Sequence, residues 1–131
     1  NLLAPAAFTR ALATSLKNGK GAVVNVTSIA GTRVHKFAGP AYAASKAALS
    51  ALTREQASDL GKFGVRVNSV SPGEIGTGML SPSTEAEMLE VIPMRRIGTV
   101  EEVAATILFL CSGSASYING TEIEINGGQH V

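Results

Sequence analysis

Three short runs of strand character, residues 21–26, 64–71 and 121–125, are separated by long stretches with helical periodicity, so no two of them can close a hairpin. Strands joined through helical crossovers of this length pair in parallel. The pattern therefore restricts the chain to an α/β layered fold, with helices packed over a parallel sheet. The first run is Ala-Val-Val-Asn-Val after Gly21, the second Gly-Val-Arg-Val-Asn-Ser-Val-Ser, and the third alternates polar and apolar residues as Thr-Glu-Ile-Glu-Ile. Pro72-Gly73 is expected to halt the second strand and Asn126-Gly127-Gly128 the third.

Helices are expected between these strands. Leu2, Leu3, Ala6, Ala7, Leu12, Ala13 and Leu16 share one helical face over 2–17, and Asn18-Gly19 supplies a left-handed stop. Pro40 fits the first turn of a helix over 41–60. A short helix is expected over 84–91, with Ser83 or Thr84 as cap and Glu85 and Glu87 in its first turn. Thr99 and Glu102 form a capping-box pair before the apolar face of Val103, Ile107 and Leu110. No internal repeat or linker interrupts the 131 residues, which read as a single unit.

Charge and cysteine usage exclude several classes of partner. With 11 basic and 10 acidic residues the formal charge is +1, and no basic stripe attracts nucleic acid or an anionic membrane. The longest apolar stretch, 104–111, is far too short to cross a bilayer. Cys111 stands alone, so no internal disulfide is expected, which favours the cytoplasm. His35 and His130 are too isolated for a metal site and read as solvated loop residues. Arg95, Arg96, Glu101 and Glu102 read as a surface ion cluster with a structural role.

Proton-transfer chemistry is suggested by one pair. Tyr42 and Lys46 lie four apart at the start of a predicted helix, which stacks their side chains on one face. A phenol is a poor acid or base at neutral pH, and a lysine cation beside it stabilises the phenolate. Taken alone, the pair is equally a tyrosine ring packed on a lysine stem. Ser28 adds context, because it follows a buried parallel strand at the carboxyl end, where open α/β sheets place their ligands. Its hydroxyl can hydrogen-bond a substrate oxygen that gains charge, or simply cap its own loop.

The segments Val26-Thr27-Ser28-Ile29-Ala30-Gly31, Tyr42-Ala43-Ala44-Ser45-Lys46-Ala47-Ala48-Leu49 and Arg66-Val67-Asn68-Ser69-Val70-Ser71-Pro72-Gly73 occur in that order. They resemble successive signatures of the classical short-chain dehydrogenases/reductases. Arg96 to Ala104 and Asn119 to Gly128 resemble the family's closing segments, so the likeness covers nearly the whole chain. It implies a Rossmann-like, doubly wound parallel sheet, here only the last three strands with their helices. It also implies an NAD(P)-dependent oxidoreductase that moves a hydride between NAD or NADP and a small-molecule carbonyl or secondary alcohol.

By the same resemblance Tyr42 is the acid/base, Lys46 supports it and holds the nicotinamide ribose, Ser28 orients the carbonyl, and Asn1 keeps a water in the proton relay. The turn Pro72-Gly73-Glu74-Ile75-Gly76-Thr77 resembles the family's cofactor turn, which assigns Pro72, Gly73, Ile75 and Thr77 to nicotinamide contact beside Tyr42 and Lys46. The substrate pocket is expected between the 29–41 loop and the 76–93 segment, with Met79, Leu80, Met88, Leu89 and Ile92 as an apolar wall.

Two departures bear on function. The Ser28-to-Tyr42 spacing is one residue longer than in many family members, so the 32–40 loop is expected to bulge and carry His35 and Phe37 over the substrate. No Gly-x-x-x-Gly-x-Gly or Gly-x-Gly-x-x-Gly follows a strand anywhere in the chain. Residues 1–131 thus read as one partial domain, the catalytic half, expected to be inactive alone. A homo-oligomer, dimer or tetramer, is the expected assembly. The rival reading is a non-catalytic fragment stabilised by self-association across an open strand edge. A related epimerase or dehydratase is disfavoured by the Asn126-Gly127-Gly128 ending.

Overall fold

The computed structural model describes residues 1–78 and 82–129. Its order is α1 (Leu3–Ala11), α2 (Ala13–Gly19), β1 (Ala22–Val26), a 3-10 turn (Ile29–Gly31), α3 (Pro40–Gly61), β2 (Arg66–Pro72), α4 (Pro82–Val91), α5 (Val100–Cys111), a second 3-10 turn (Gly113–Ala115) and β3 (Glu122–Ile125). The three strands are parallel in the order β1-β2-β3, with Val24 opposite Asn68 and Val70 opposite Ile123. This is the α/β architecture of a Rossmann-like sheet.

The core divides by sheet face. On one side Val65, Val67 and Ala57 of α3 are buried with Leu16, Val23 and Leu60 against them. On the other, Val70 packs on Leu110 and Ala115, enclosed by Val24, Val103, Ile107, Ile123 and Ile125. β2 is covered on both faces, which explains its near-continuous burial. The edges of this core are pinned by polar side chains. Arg66 donates to the Leu110 and Ser112 carbonyls that end α5, and Asn68 bridges Ile118 O and Thr121 N–H ahead of β3.

Several boundaries differ from expectation for local reasons. The first helix breaks at Leu12, whose φ of −91° and ψ of 3° separate α1 from α2 while the i to i−4 bonds continue through it. The left-handed residue that ends α2 is Lys20, not Gly19. Its φ is 47°, and Gly21 N–H reaches back to Leu16 O at 2.8 Å. β2 begins at Arg66 because Gly64, at φ 77°, is still in the turn, and it runs through Pro72. Proline is tolerated there because the ladder resumes at Gly73, whose N–H donates to Ile125 O at 3.0 Å. The side chains of Ser83 and Thr84, expected as caps of α4, lie outside the described residues.

α5 carries the expected capping box. Thr99 Oγ1 accepts from Glu102 N–H at 3.2 Å, and Glu102 accepts from Thr99 N–H at 2.8 Å. Of the expected ion cluster, Arg96 forks onto Glu102 at 2.5 and 2.9 Å, while Arg95 turns to Glu90 and the carbonyls ending α4. The Arg96 guanidinium and then the Thr99 N–H hold Glu102 down, from an ordinary 4.5 to about 2. The folded pKa is depressed, so this pair's support is complete above pH 4.5 and fades as pH falls toward about 2. Thermal unfolding at low salt should therefore lose stability over that window in the wild type and show a flatter acid limb in Arg96→Met. Parallel limbs would assign the pair no stabilising role. The pair is exposed, so its effect is small and screened by salt.

Candidate active site

The carboxyl ends of β1 and β2 carry the residues with chemical potential. Ser28 follows β1 in extended backbone (φ −169°, ψ 150°) and caps the first 3-10 turn, its Oγ accepting from Ala30 N–H at 3.2 Å. Tyr42 stands in the first turn of α3, opened by Pro40, and is 42% exposed, so a ligand can reach its hydroxyl. Lys46 follows one turn later. Its Nζ donates to Val26 O at 2.7 Å and lies 5.6 Å from the Tyr42 ring centroid. Partial burial lowers the Lys46 pKa, since a desolvated ammonium is disfavoured.

Ser28 and Tyr42 come together because a glycine lets the turn rest on the helix. A Cβ at Gly31 would stand 2.9 Å from both Ala47 N and the Lys46 carbonyl carbon, which are backbone atoms that cannot step aside. Gly31→Ala should therefore cost about 1–3 kcal/mol of stability and push Ser28 away from Tyr42. Denaturant unfolding reads the first effect, and a retained midpoint would refute the close approach.

An open cleft of about 540 Å³ lies along this edge. It is lined by Ser28, Tyr42, Gly73, Ile75 and Thr77 of the expected site, together with His35, Phe37 and Glu74. Lys46 and Asn1 line a neighbouring cavity of about 490 Å³ along the outer side of β1. Asn1 Nδ2 approaches Ser45 Oγ at 3.4 Å, and that hydroxyl donates to Tyr42 O at 2.7 Å. Pro72 lies inside β2, opposite Ile125, and is not part of the cleft lining.

The 73–77 turn is fixed by packing. A Cβ at Gly73 would meet Asn126 Cβ at 2.9 Å and Gln129 Oε1 at 3.0 Å, so glycine is needed there for the carboxyl-terminal turn to close over β2. Ile75 bridges Gly98 in parallel, with Gly76 N–H to Gly98 O and Gly98 N–H to Glu74 O both at 2.9 Å. The turn thus presents its side chains from a braced backbone.

Two sequence-based expectations fail here. His35 is no solvated loop residue: its side chain is 12% exposed, and Nε2 lies 2.7 Å from Oε1 of Glu74, itself 13% exposed. The longer loop after Ser28 turns inward, and Phe37 packs edge-on to the imidazole at 6.2 Å. Met88 and Ile92 form no wall of this cleft but are buried, Ile92 beneath Gly127. Leu89 is likewise absent from the lining, and Met79, Leu80 and His130 lie outside the described residues. Among the described residues no cluster of three or more His, Cys, Asp or Glu could hold a metal, and no helix is long and apolar enough to cross a membrane.

A family model described as enoyl-(acyl carrier protein) reductase matches residues 1–130. The chain belongs to the short-chain dehydrogenase/reductase family. Protein FixR of Bradyrhizobium diazoefficiens is 57% identical over all 131 residues, which span 47% of that protein. The 7alpha-hydroxysteroid dehydrogenase of Escherichia coli K12 is 40% identical over 116 residues, covering 86% of the chain and 45% of the relative. Among solved structures, a 3-oxoacyl-[acyl-carrier protein] reductase with bound NAD from Brucella melitensis matches the whole chain at TM-score 0.94 and 33% identity, over 49% of its own length. The chain spans about half the length of these short-chain dehydrogenase/reductase relatives.

Sequence reasoning missed Glu74 as a cleft residue and the pairing of His35 with it. A signal was present for Glu74, an acidic residue inside the very turn matched to cofactor contact. His35 lay on the loop expected to line the pocket, but its pairing with Glu74 depends on how that loop folds back.

Proposed function

We propose that this chain is the catalytic half of an NAD(P)-dependent oxidoreductase that interconverts a carbonyl and a secondary alcohol, with Tyr42 as its acid/base. One observation carries the reading: Ser28 and Tyr42 open into a single cleft, and Lys46 Nζ lies beside the Tyr42 ring. The donor set suits a nicotinamide riboside. The Lys46 ammonium has three donors and spends one on Val26 O, which leaves two for ribose hydroxyls. The braced 73–77 turn offers Thr77 and its backbone along the same edge. When bound, the dinucleotide supplies or accepts the hydride.

The protein's own residues do the rest. In reduction the carbonyl carbon gains the hydride with its electron pair, the C=O π bond opens, and the oxygen takes the Tyr42 phenolic proton. Ser28 holds that oxygen by a hydrogen bond that strengthens as charge develops. Lys46 stabilises the phenolate left behind, and Asn1, which lines the same cavity as Lys46, would hold a water in the proton relay.

A parent protein of the relatives' length would supply the pyrophosphate-binding turn, and the reading extends to a cytoplasmic homo-oligomer. The test is hydride transfer by that full-length parent, followed by nicotinamide absorbance over a panel of cyclic and linear ketones with NADH and NADPH. Absence of turnover with every pair would refute the reading. The rival, a self-associating fragment without catalysis, is favoured by one observation, the outer edge of β1, unpaired among the described residues.

A further inference from the structure

We infer that Glu74, held by His35, sets the substrate class of the cleft, admitting neutral carbonyl compounds that carry a hydroxyl donor and turning away carboxylates. The inference rests on the oxidoreductase reading of the same cleft and adds what that reading leaves open.

Each wall has a distinct character. Ser28 and Tyr42 are claimed by the reacting oxygen, and Thr77 lies at the cofactor turn. Ile29, Phe37 and Ile75 give an apolar lining. Among the described lining residues the remaining charge-bearing group is the Glu74 carboxylate with its imidazole partner. Glu74 is fixed from both sides, since its carbonyl accepts from Gly98 N–H at 2.9 Å and Gly76 N–H returns the bond to Gly98 O. His35 is fixed as well, by the edge-on Phe37 ring and by Phe37 N–H, which donates to Nδ1 at 3.4 Å. With Nδ1 assigned as the acceptor, Nε2–H is the donor, and it reaches Glu74 Oε1 at 2.7 Å.

That leaves an acceptor-rich group facing the cleft. A carboxylate offers about four lone-pair sites, and one bond to His35 leaves the others for a ligand donor. A hydroxyl placed there completes the set. A second carboxylate brings like charge into a partly desolvated space, where repulsion is stronger than in water. Rejection by charge is a stronger discriminator than any added apolar contact of similar size.

Three ketones with one reacting group test this: cyclohexanone, 4-hydroxycyclohexanone and 4-oxocyclohexanecarboxylate, with the full-length parent protein. The wild type should favour the hydroxy ketone over the carboxylate by about 100-fold in kcat/KM. Glu74→Gln keeps an oxygen for the His35 bond while removing the charge and exchanging one acceptor for an amide donor, and should shrink that ratio at least about tenfold. Glu74→Ala should bring the hydroxy ketone to the level of cyclohexanone within each preparation. Saturation-transfer NMR on the same ketones reads binding without turnover. A Glu74→Gln ratio within about threefold of wild type, or equal binding of the two substituted ketones, overturns the inference. Selective binding without turnover of any ketone would sustain it and sink the oxidoreductase reading, whereas turnover without selectivity would do the reverse.

Discussion

Replacing Tyr42 by Phe in the full-length parent is expected to slow hydride transfer by about 10³-fold and leave the fold unchanged. The change removes one oxygen from a side chain that is partly exposed, and no hydrogen bond that holds the fold involves the Tyr42 hydroxyl among the described residues. Cofactor affinity should move little, because the Lys46 ammonium and the 73–77 turn are untouched. The loss therefore belongs to kcat, the mark of an interaction made in the transition state. Lys46→Met is the companion variant and should differ in kind, since it removes the ribose contact as well as the phenolate's support and so weakens cofactor binding too. If Tyr42→Phe retains turnover within a few-fold of wild type, the acid/base is another group.

The layered fold was legible because two kinds of period coexist in one chain. β-Branched runs at 22–26 and 66–72 and helical spacing between them leave parallel pairing as the consistent arrangement. Caps that depend on neighbouring residues were legible too, as the Thr99–Glu102 box shows. Boundaries set by backbone conformation were not. Lys20 adopts the left-handed geometry that Asn18-Gly19 advertised, because the 6→1 bond from Gly21 decides where the helix closes.

The site divides in the same way. The place of Ser28 just past a strand and the one-turn spacing of Tyr42 and Lys46 are local and follow from sequence, whereas the approach of Ser28 to Tyr42 does not. Gly31 looked like loop punctuation, and its role as the contact point between turn and helix depends on atoms of α3. His35 and Glu74 are separated by β2 and a helix, and they meet only because two loops leave neighbouring strands at the same edge. No periodicity reports a pairing of that sort. Met88 in α4 and Ile92 just past it were misread for the converse reason: apolar side chains next to a site serve the core as readily as the pocket.

Residues 1–131 prepared alone are expected to show no saturable binding of NAD or NADP up to about millimolar concentration, and to run larger than a monomer. The first half of this expectation comes from the contacts available. A dinucleotide is gripped mainly at its pyrophosphate, by a glycine turn leading into a helix N-terminus, and the chain has no such fingerprint. Lys46 and the Thr77 turn address only the nicotinamide end. The second half comes from exposed surface. Among the described residues β1 is an outer strand with one unpaired edge, and α1 leaves Leu3 83% and Phe8 68% exposed, Phe8 at the cavity that Lys46 and Asn1 share. An open edge next to apolar side chains favours association with another copy. Calorimetry with each dinucleotide and light scattering over a concentration series measure the two halves separately. A monodisperse monomer that binds either dinucleotide at about micromolar affinity would show that these residues already form a complete binding unit. An associated species that stays blind to both dinucleotides, from a parent that turns over ketones, would place the missing affinity in the parent's other half.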